Sequence, residues 1–137
     1  MNCSVCLFNV LKFKIKWILA FSSTQELEEH FALKNTAVIP SSYGKILWVK
    51  FEDGYHAFKN KCPHQNKPMD HCWIDGGDLV CPFHRFHFSV ENGRGMATSM
   101  YKYEVKIEED KVWLGKEVLG LSFQLKLKRV NKVRDHR

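Results

Sequence analysis

A chain of 137 residues with 45% hydrophobic and 26% charged residues has the size and balance of one folded domain that needs no disulfides to close its core. Its longest uncharged apolar stretches, residues 5–11 and 17–23, fall far short of the roughly 20 residues a membrane span requires, so no transmembrane helix is expected. The formal charge of +6 is carried by the ends: residues 17–120 hold twelve basic and fourteen acidic residues, and the basic tails lack the aromatic or Gly-rich pattern of a nucleic-acid arm.

In chain order, Cys3 and Cys6 open the sequence with half-site spacing but no second pair nearby. Leu11, Phe13, Ile15 and Trp17 alternate with Lys12, Lys14 and Lys16, which predicts a strand that buries the apolar set. The same lysines interrupt the apolar run a secretory signal would need, so neither export nor a lipid anchor is expected. Ser22, Ser23 and Thr24 precede an acidic first turn, which predicts a short capped helix over residues 25–31, the only helix of consequence. From Thr36 onward the sequence consists of short β-rich runs cut by turn residues. Lys45 to Phe51 and Tyr55 to Phe58 flank Glu52-Asp53-Gly54 as a hairpin, and Tyr101 to Ile107 and Val112 to Leu114 flank Glu108-Glu109-Asp110 as another. Between them, Asp75-Gly76-Gly77-Asp78 leads into Leu79-Val80, and Phe86 to Val90 runs into Glu91-Asn92-Gly93. Strands at this spacing without alternating helices argue an all-β, antiparallel sandwich or barrel. Phe123, Leu125 and Leu127 alternate with polar residues as a last edge strand before a basic end.

Two segments stand apart from this pattern. Cys62-Pro63-His64 and, after a spacer of sixteen residues, Cys81-Pro82-Phe83-His84 each offer a thiolate and an imidazole one or two residues apart. Each proline fixes φ near −65° and removes a competing N–H, which narrows the conformations of a short ligand turn. Tetrahedral zinc accepts two Cys and two His, but its usual spacing pairs like with like, whereas these pairs are mixed. The other cysteines, Cys3, Cys6 and Cys72, are odd in number and lack framework spacing, so a reducing compartment, the cytoplasm, is expected with Cys72 a free thiol. His71 reads as an exposed loop residue, and His87, between Phe86 and Phe88, as a polar-face residue.

The pattern Cys-x-His-x16-Cys-x-x-His resembles the Rieske family of [2Fe-2S] proteins, in which two Cys hold one iron and two His the other. The likeness extends over about seven-tenths of the chain, from Trp17 to Leu114, with its specificity in the 23 residues from Cys62 to His84. It implies a Rieske-like β-sandwich with two cluster-binding loops at one end, in a domain at residues 17–118 between an extension at 1–16 and a basic tail at 119–137. It further implies one [2Fe-2S] cluster, with Cys62 and Cys81 on an inner iron and His64 and His84 on an outer one. Tyr55 to Phe58 is similar to the family's strand leading to the cluster, and Phe86, Phe88 and Gly93 to its ending. Arg85 departs from the pattern, since many members have Gly directly after the second His, and Gln65-Asn66-Lys67 replaces the usual small residue after the first.

Within the family, quinol-oxidising proteins carry a disulfide between the loops and hydroxyl groups near the sulfurs. The corresponding positions here are Phe83, Phe86 and Phe88, so the resemblance is to the soluble ferredoxins of ring-hydroxylating oxygenase systems, with a lower reduction potential. It implies an electron-transfer protein rather than an enzyme, with a reductase and an oxygenase or other acceptor as redox partners. An oxygenase catalytic subunit would need a further iron domain, for which the 53 residues after His84 give no room. The alternative is a small iron–sulfur subunit or sensor of a larger reductase, similar to the small subunit of nitrite reductases. Lys61, Lys67 and Arg85, with Asp70, lie where they could steer a partner.

Overall fold

The computed structural model describes residues 13–119 apart from Asp53, so the Cys3/Cys6 pair, the 123–127 strand and most of both tails lie outside the described residues. The chain divides into a compact unit, Trp17–Gly115, and a second unit of 1–16 and 116–137, of which residues 13–16 and 116–119 are described. Nine strands and one short helix follow in order: β1 (Phe13–Phe21), α1 (Thr24–Glu29), β2 (Thr36–Ser41), β3 (Gly44–Phe51), β4 (Gly54–Lys59), β5 (Trp73–Asp75), β6 (Asp78–Val80), β7 (His87–Ser89), β8 (Lys102–Glu108) and β9 (Lys111–Leu119). They form a six-stranded sheet in the order β1-β9-β8-β4-β3-β2 and a three-stranded sheet in the order β5-β6-β7. The expected all-β, antiparallel architecture is what is found.

Strand β3 shows why the larger sheet is central. Its run Ile46-Leu47-Trp48-Val49 is wholly buried, because alternate side chains enter different cores. Leu47 and Val49 join Phe58, Met69, Leu79, Phe88, Val90 and Met100. Ile46 and Trp48 join Phe21, Leu27, Phe31, Ala57, Tyr103, Val112 and Leu114 on the opposite face. A continuous apolar run of this kind marks a strand covered on both sides.

The helix is the predicted one. Ser23 caps it, its hydroxyl accepting from the Glu26 N–H at 3.2 Å, while the Glu26 carboxylate accepts from the Ser22 N–H and hydroxyl at 3.0 and 2.7 Å. Leu27 is buried beneath it, and Glu28 ties the helix to the sheet through Lys50 at 2.8 Å and the Tyr55 hydroxyl. Burial, followed by the adjacent Glu28 carboxylate, pushes the Tyr55 hydroxyl up to about 12, so it stays a donor.

One expectation fails at β1. Phe13 and Ile15 are exposed, and Ile18 and Ala20 are the residues packed on the core, followed by Phe21. The predicted apolar set is therefore left largely unburied, and burial rises only toward Phe21. The strand lies at the edge of its sheet, and only its C-terminal end has a core to face. Strand β5, with three residues, is too short to have been read from periodicity; its turn into β6 uses the predicted Gly76 and Gly77, both at positive φ.

The turn after β7 is bound to the larger sheet by Lys102. Its ammonium donates to the Val90 carbonyl at 3.3 Å, to the Glu91 carbonyl, and to His56 Nδ1 at 3.0 Å. Gly93 in this turn sits at φ +75°, and a Cβ there would come within 2.7 Å of the Met100 carbonyl oxygen. Gly93→Ala is expected to cost about 2 kcal/mol or more, from strain and the backbone clash together, read as a lower urea midpoint. His56 has its pKa lowered by burial first and the Lys102 charge second, so the unfolded chain takes up the proton before the folded one as pH falls. Stability is therefore expected to decline as pH drops below the ordinary histidine value of 6.5, levelling off once the folded-state pKa is passed. In His56→Gln this part of the pH dependence of the urea midpoint should vanish.

Candidate metal centre

Residues 60–72 and 81–86 form two loops, one leading from β4 to β5 and one from β6 to β7. Both are closed by the same main-chain device. The Cys62 N–H donates to the Lys67 carbonyl at 2.7 Å, and the Cys81 N–H donates to the Phe86 carbonyl at 2.9 Å, each bond spanning five residues. In the first loop the Asn66 N–H returns to the Cys62 carbonyl at 2.7 Å, with Asn66 at φ 58°. Asn60 pins the far side, its carbonyl accepting from the Met69 N–H at 3.0 Å and its amide donating to Asp70 at 2.8 Å.

These turns send sulfur and nitrogen in opposite directions. Cys62 and Cys81 are 1% and 0% exposed within the apolar cluster of Leu79, Phe88 and Met69, whereas His64 and His84 are both exposed. The two imidazole rings stand edge to face with centroids 5.6 Å apart. Phe86 stacks on His64 at 4.0 Å, and the Lys67 ammonium lies 4.4 Å above the Phe83 ring, so each loop is braced by the other. Burial chiefly, then the hydrogen bond and charge of the neighbouring Cys62, raise the Cys81 thiol; a main-chain contact at Phe83 and the Lys67 ammonium oppose this.

The four sequence-predicted donors are thus brought together by kind: thiol beside thiol in the interior, imidazole beside imidazole at the surface. Among the described residues no group of three or more His, Cys, Asp or Glu side chains is gathered about one point, so the four donors stand as two pairs. Two buried sulfurs and two exposed nitrogens suit a binuclear centre with a different donor type at each metal. Cys72 is free and buried, its thiol pushed up to about 12 chiefly by burial, and His71 is exposed. His87 points away from Phe88 and meets the Asp78 carboxylate at 3.3 Å.

Residues 19–107 match the Rieske [2Fe-2S] domain family. The chain belongs to that family. Membership brings one [2Fe-2S] cluster, and the sulfur and nitrogen pairs just described fit such a group. Over 91 residues, 63% of its length, the chain is 33% identical to apoptosis-inducing factor 3 of Homo sapiens, of which the match spans only 15%. It is also 33% identical over 79 residues to the ferredoxin component of the alkene monooxygenase system of Xanthobacter autotrophicus, covering 55% of this chain and 65% of that protein. Among solved structures, the ferredoxin of carbazole 1,9a-dioxygenase from Nocardioides aromaticivorans shares the fold with a TM-score of 0.59 and 15% identity, over 72% of this chain and 96% of that one.

The Rieske loops also explain the departure at Arg85. His84 and Arg85 adopt φ of 67° and 55°, a left-handed pair that glycine enters freely and other residues enter at a cost. The ring stack of Phe86 on His64 and the Lys67–Phe83 contact were invisible in the sequence, because they depend on how two separated loops meet. Arg85→Gly is expected to raise stability by roughly 0.5 kcal/mol, the relief of strain exceeding the added unfolded-chain entropy, as read from urea unfolding.

Proposed function

We propose that this Rieske chain is a one-electron carrier in which Cys62 and Cys81 hold the inner iron and His64 and His84 the outer iron. The observation that supports this most is the contrast in burial, sulfur inside and imidazole at the surface. The cluster supplies one-electron redox chemistry when bound, and the protein contributes position, potential and docking. Leu79, Phe88 and Met69 keep water from the sulfur side, and the Phe86 ring orients the His64 imidazole that would face a partner. Redox partner proteins are a reductase on one side and an acceptor such as a ring-hydroxylating oxygenase on the other. The likeness to a ferredoxin component of an oxygenase system supports this assignment. No helix among the described residues is long and apolar enough to cross a membrane, and the free thiol of Cys72 suits the proposed cytoplasmic setting.

Phe86 and Phe88 offer no hydroxyl to a cluster sulfur, and hydrogen bonds to sulfur stabilise the added electron. The potential belongs in the lower part of the range from about −150 to about +300 mV. A second reading, a module of a larger redox assembly, draws on the match to a short part of a much longer protein. Co-purification with a large reductase polypeptide would favour it over a free carrier.

The dithionite-reduced, iron- and sulfide-loaded chain is expected to give a rhombic electron paramagnetic resonance signal of mixed sulfur and nitrogen ligation. Cys62→Ser should abolish it, and His84→Cys should move it toward the all-thiolate type. An unchanged signal in His84→Cys, or a midpoint potential above about +100 mV, would count against the ligand set or the ferredoxin branch respectively.

A further inference from the structure

Residues 13–119 are electrically balanced, with fourteen basic and fourteen acidic residues, yet the charges are unevenly placed along the sheet. The pairing of Phe58 with Lys102, and of Ile46 with Lys59, puts the start of β8 and the end of β4 at the loop end. It puts the β3–β4 and β8–β9 turns at the other. That far end carries Glu52, Glu108, Glu109 and Asp110, against Lys106, which pairs with Glu108 at 3.5 Å, and Lys111. The loop end carries Lys61, Lys67 and Arg85, all exposed, and its one carboxylate, Asp70, is held by Asn60. Among the described residues no carboxylate lies within ion-pair distance of Lys61, Lys67 or Arg85.

Two of these cations are placed at a conformational cost or by a specific contact. Lys67 is laid across the loops onto Phe83, and Arg85 occupies a left-handed backbone position where glycine would be free of strain. Strain of that kind persists where the side chain has a task. Phe83, under the Lys67 ammonium, and Pro68 are exposed as well, so the loop tip presents apolar and basic groups together.

We propose that this loop tip docks an acidic surface surrounding the redox group of its partner, with Lys67 and Arg85 as the recognising charges and the acidic far end helping to orient approach. This rests on the electron-carrier reading for its purpose, though not for its binding chemistry. Charge sorted along a neutral body orients an encounter without requiring a large net charge, and it speeds association in a salt-dependent way.

Two haem proteins of opposite docking charge serve as probes: cytochrome b5, acidic around its haem edge, and cytochrome c, basic there. The full, cluster-loaded chain should bind immobilised cytochrome b5 in preference to cytochrome c. Raising salt from about 20 to about 300 mM should weaken that binding about tenfold or more. The Lys67→Gln, Arg85→Gln double variant should lose the preference, while a mixed-ligation paramagnetic signal shows that it still holds the cluster. The Lys128→Gln, Arg129→Gln variant of the basic tail should keep it. Preference for cytochrome c, salt-insensitive binding, or loss in the tail variant rather than the tip variant would overturn the docking face. The two readings fail separately. Tip-dependent binding without a cluster signal would refute the carrier and retain the docking face, whereas a correct signal with indifferent binding would do the reverse.

Discussion

The arrangement depends on one requirement: within two or three residues of chain, each loop must send a thiol into a dry interior and an imidazole out to water. An extended strand alternates faces and could separate two side chains this way, but it could not also bring the two sulfurs together. The loops meet both demands with tight turns whose base is the cysteine itself, each Cys N–H tied to a carbonyl five residues on. The interior they enter exists because β3 and β4 present Leu47, Val49 and Phe58 to the face covered by Leu79 and Phe88 of the smaller sheet. Burial there holds the pKa of the Cys81 thiol above its ordinary value. Cysteine binds metal as thiolate, so on the proposed ligand set, loading is coupled to proton release from the core.

The core on the opposite face does a different job. It packs α1 and the inward side chains of β1 and β9 with those of β3 and β4 through Leu27, Phe21, Leu114, Trp48 and Ala57. Tyr55 and Lys50 fasten the helix through Glu28. With the sheet backed in this way, the loops are mounted on strands β4, β5, β6 and β7 whose own positions are fixed by burial, and the cross-loop ring contacts need only set the last angles.

What the sequence disclosed follows the range of the interactions involved. The hairpins at Glu52 and at Glu109, the cap at Ser23 and the Gly76-Gly77 turn are governed by adjacent residues, and each was legible. The four proposed donors could be named from the sequence for a like reason, because proline and cysteine at fixed offsets carry their own chemistry. The facing of β1 was misread because Lys12, Lys14 and Lys16 give an alternation without saying whether any core lies beside it; at a sheet edge Phe13 and Ile15 have none. Strand β5, Trp73–Asp75, has only three residues, and pairing with β6 rather than its own composition makes it a strand. The Phe86–His64 stack and the Lys102 bond to His56 join residues 22 and 46 positions apart, beyond any local pattern.

Positive φ in residues other than glycine separates turn-making from site-making. Among the described residues it occurs at Glu52, Glu109 and Asp110, and at Asn66, His84 and Arg85. The first three lie in the two hairpin turns, where reversing a twisted strand pair in two residues demands it. The other three lie in the loops, where the pairing of strands makes no such demand. Asn tolerates the left-handed region, its short polar side chain finding local partners, which leaves His84 and Arg85 as the costly pair. His84 cannot be exchanged for glycine if it is to hold iron, but nothing in the ligand geometry asks for arginine beside it. The strain at His84 thus follows from the proposed ligand set, while that at Arg85 calls for a separate reason, and what its exposed guanidinium adds to the tip is a fixed positive charge with a fork of hydrogen-bond donors.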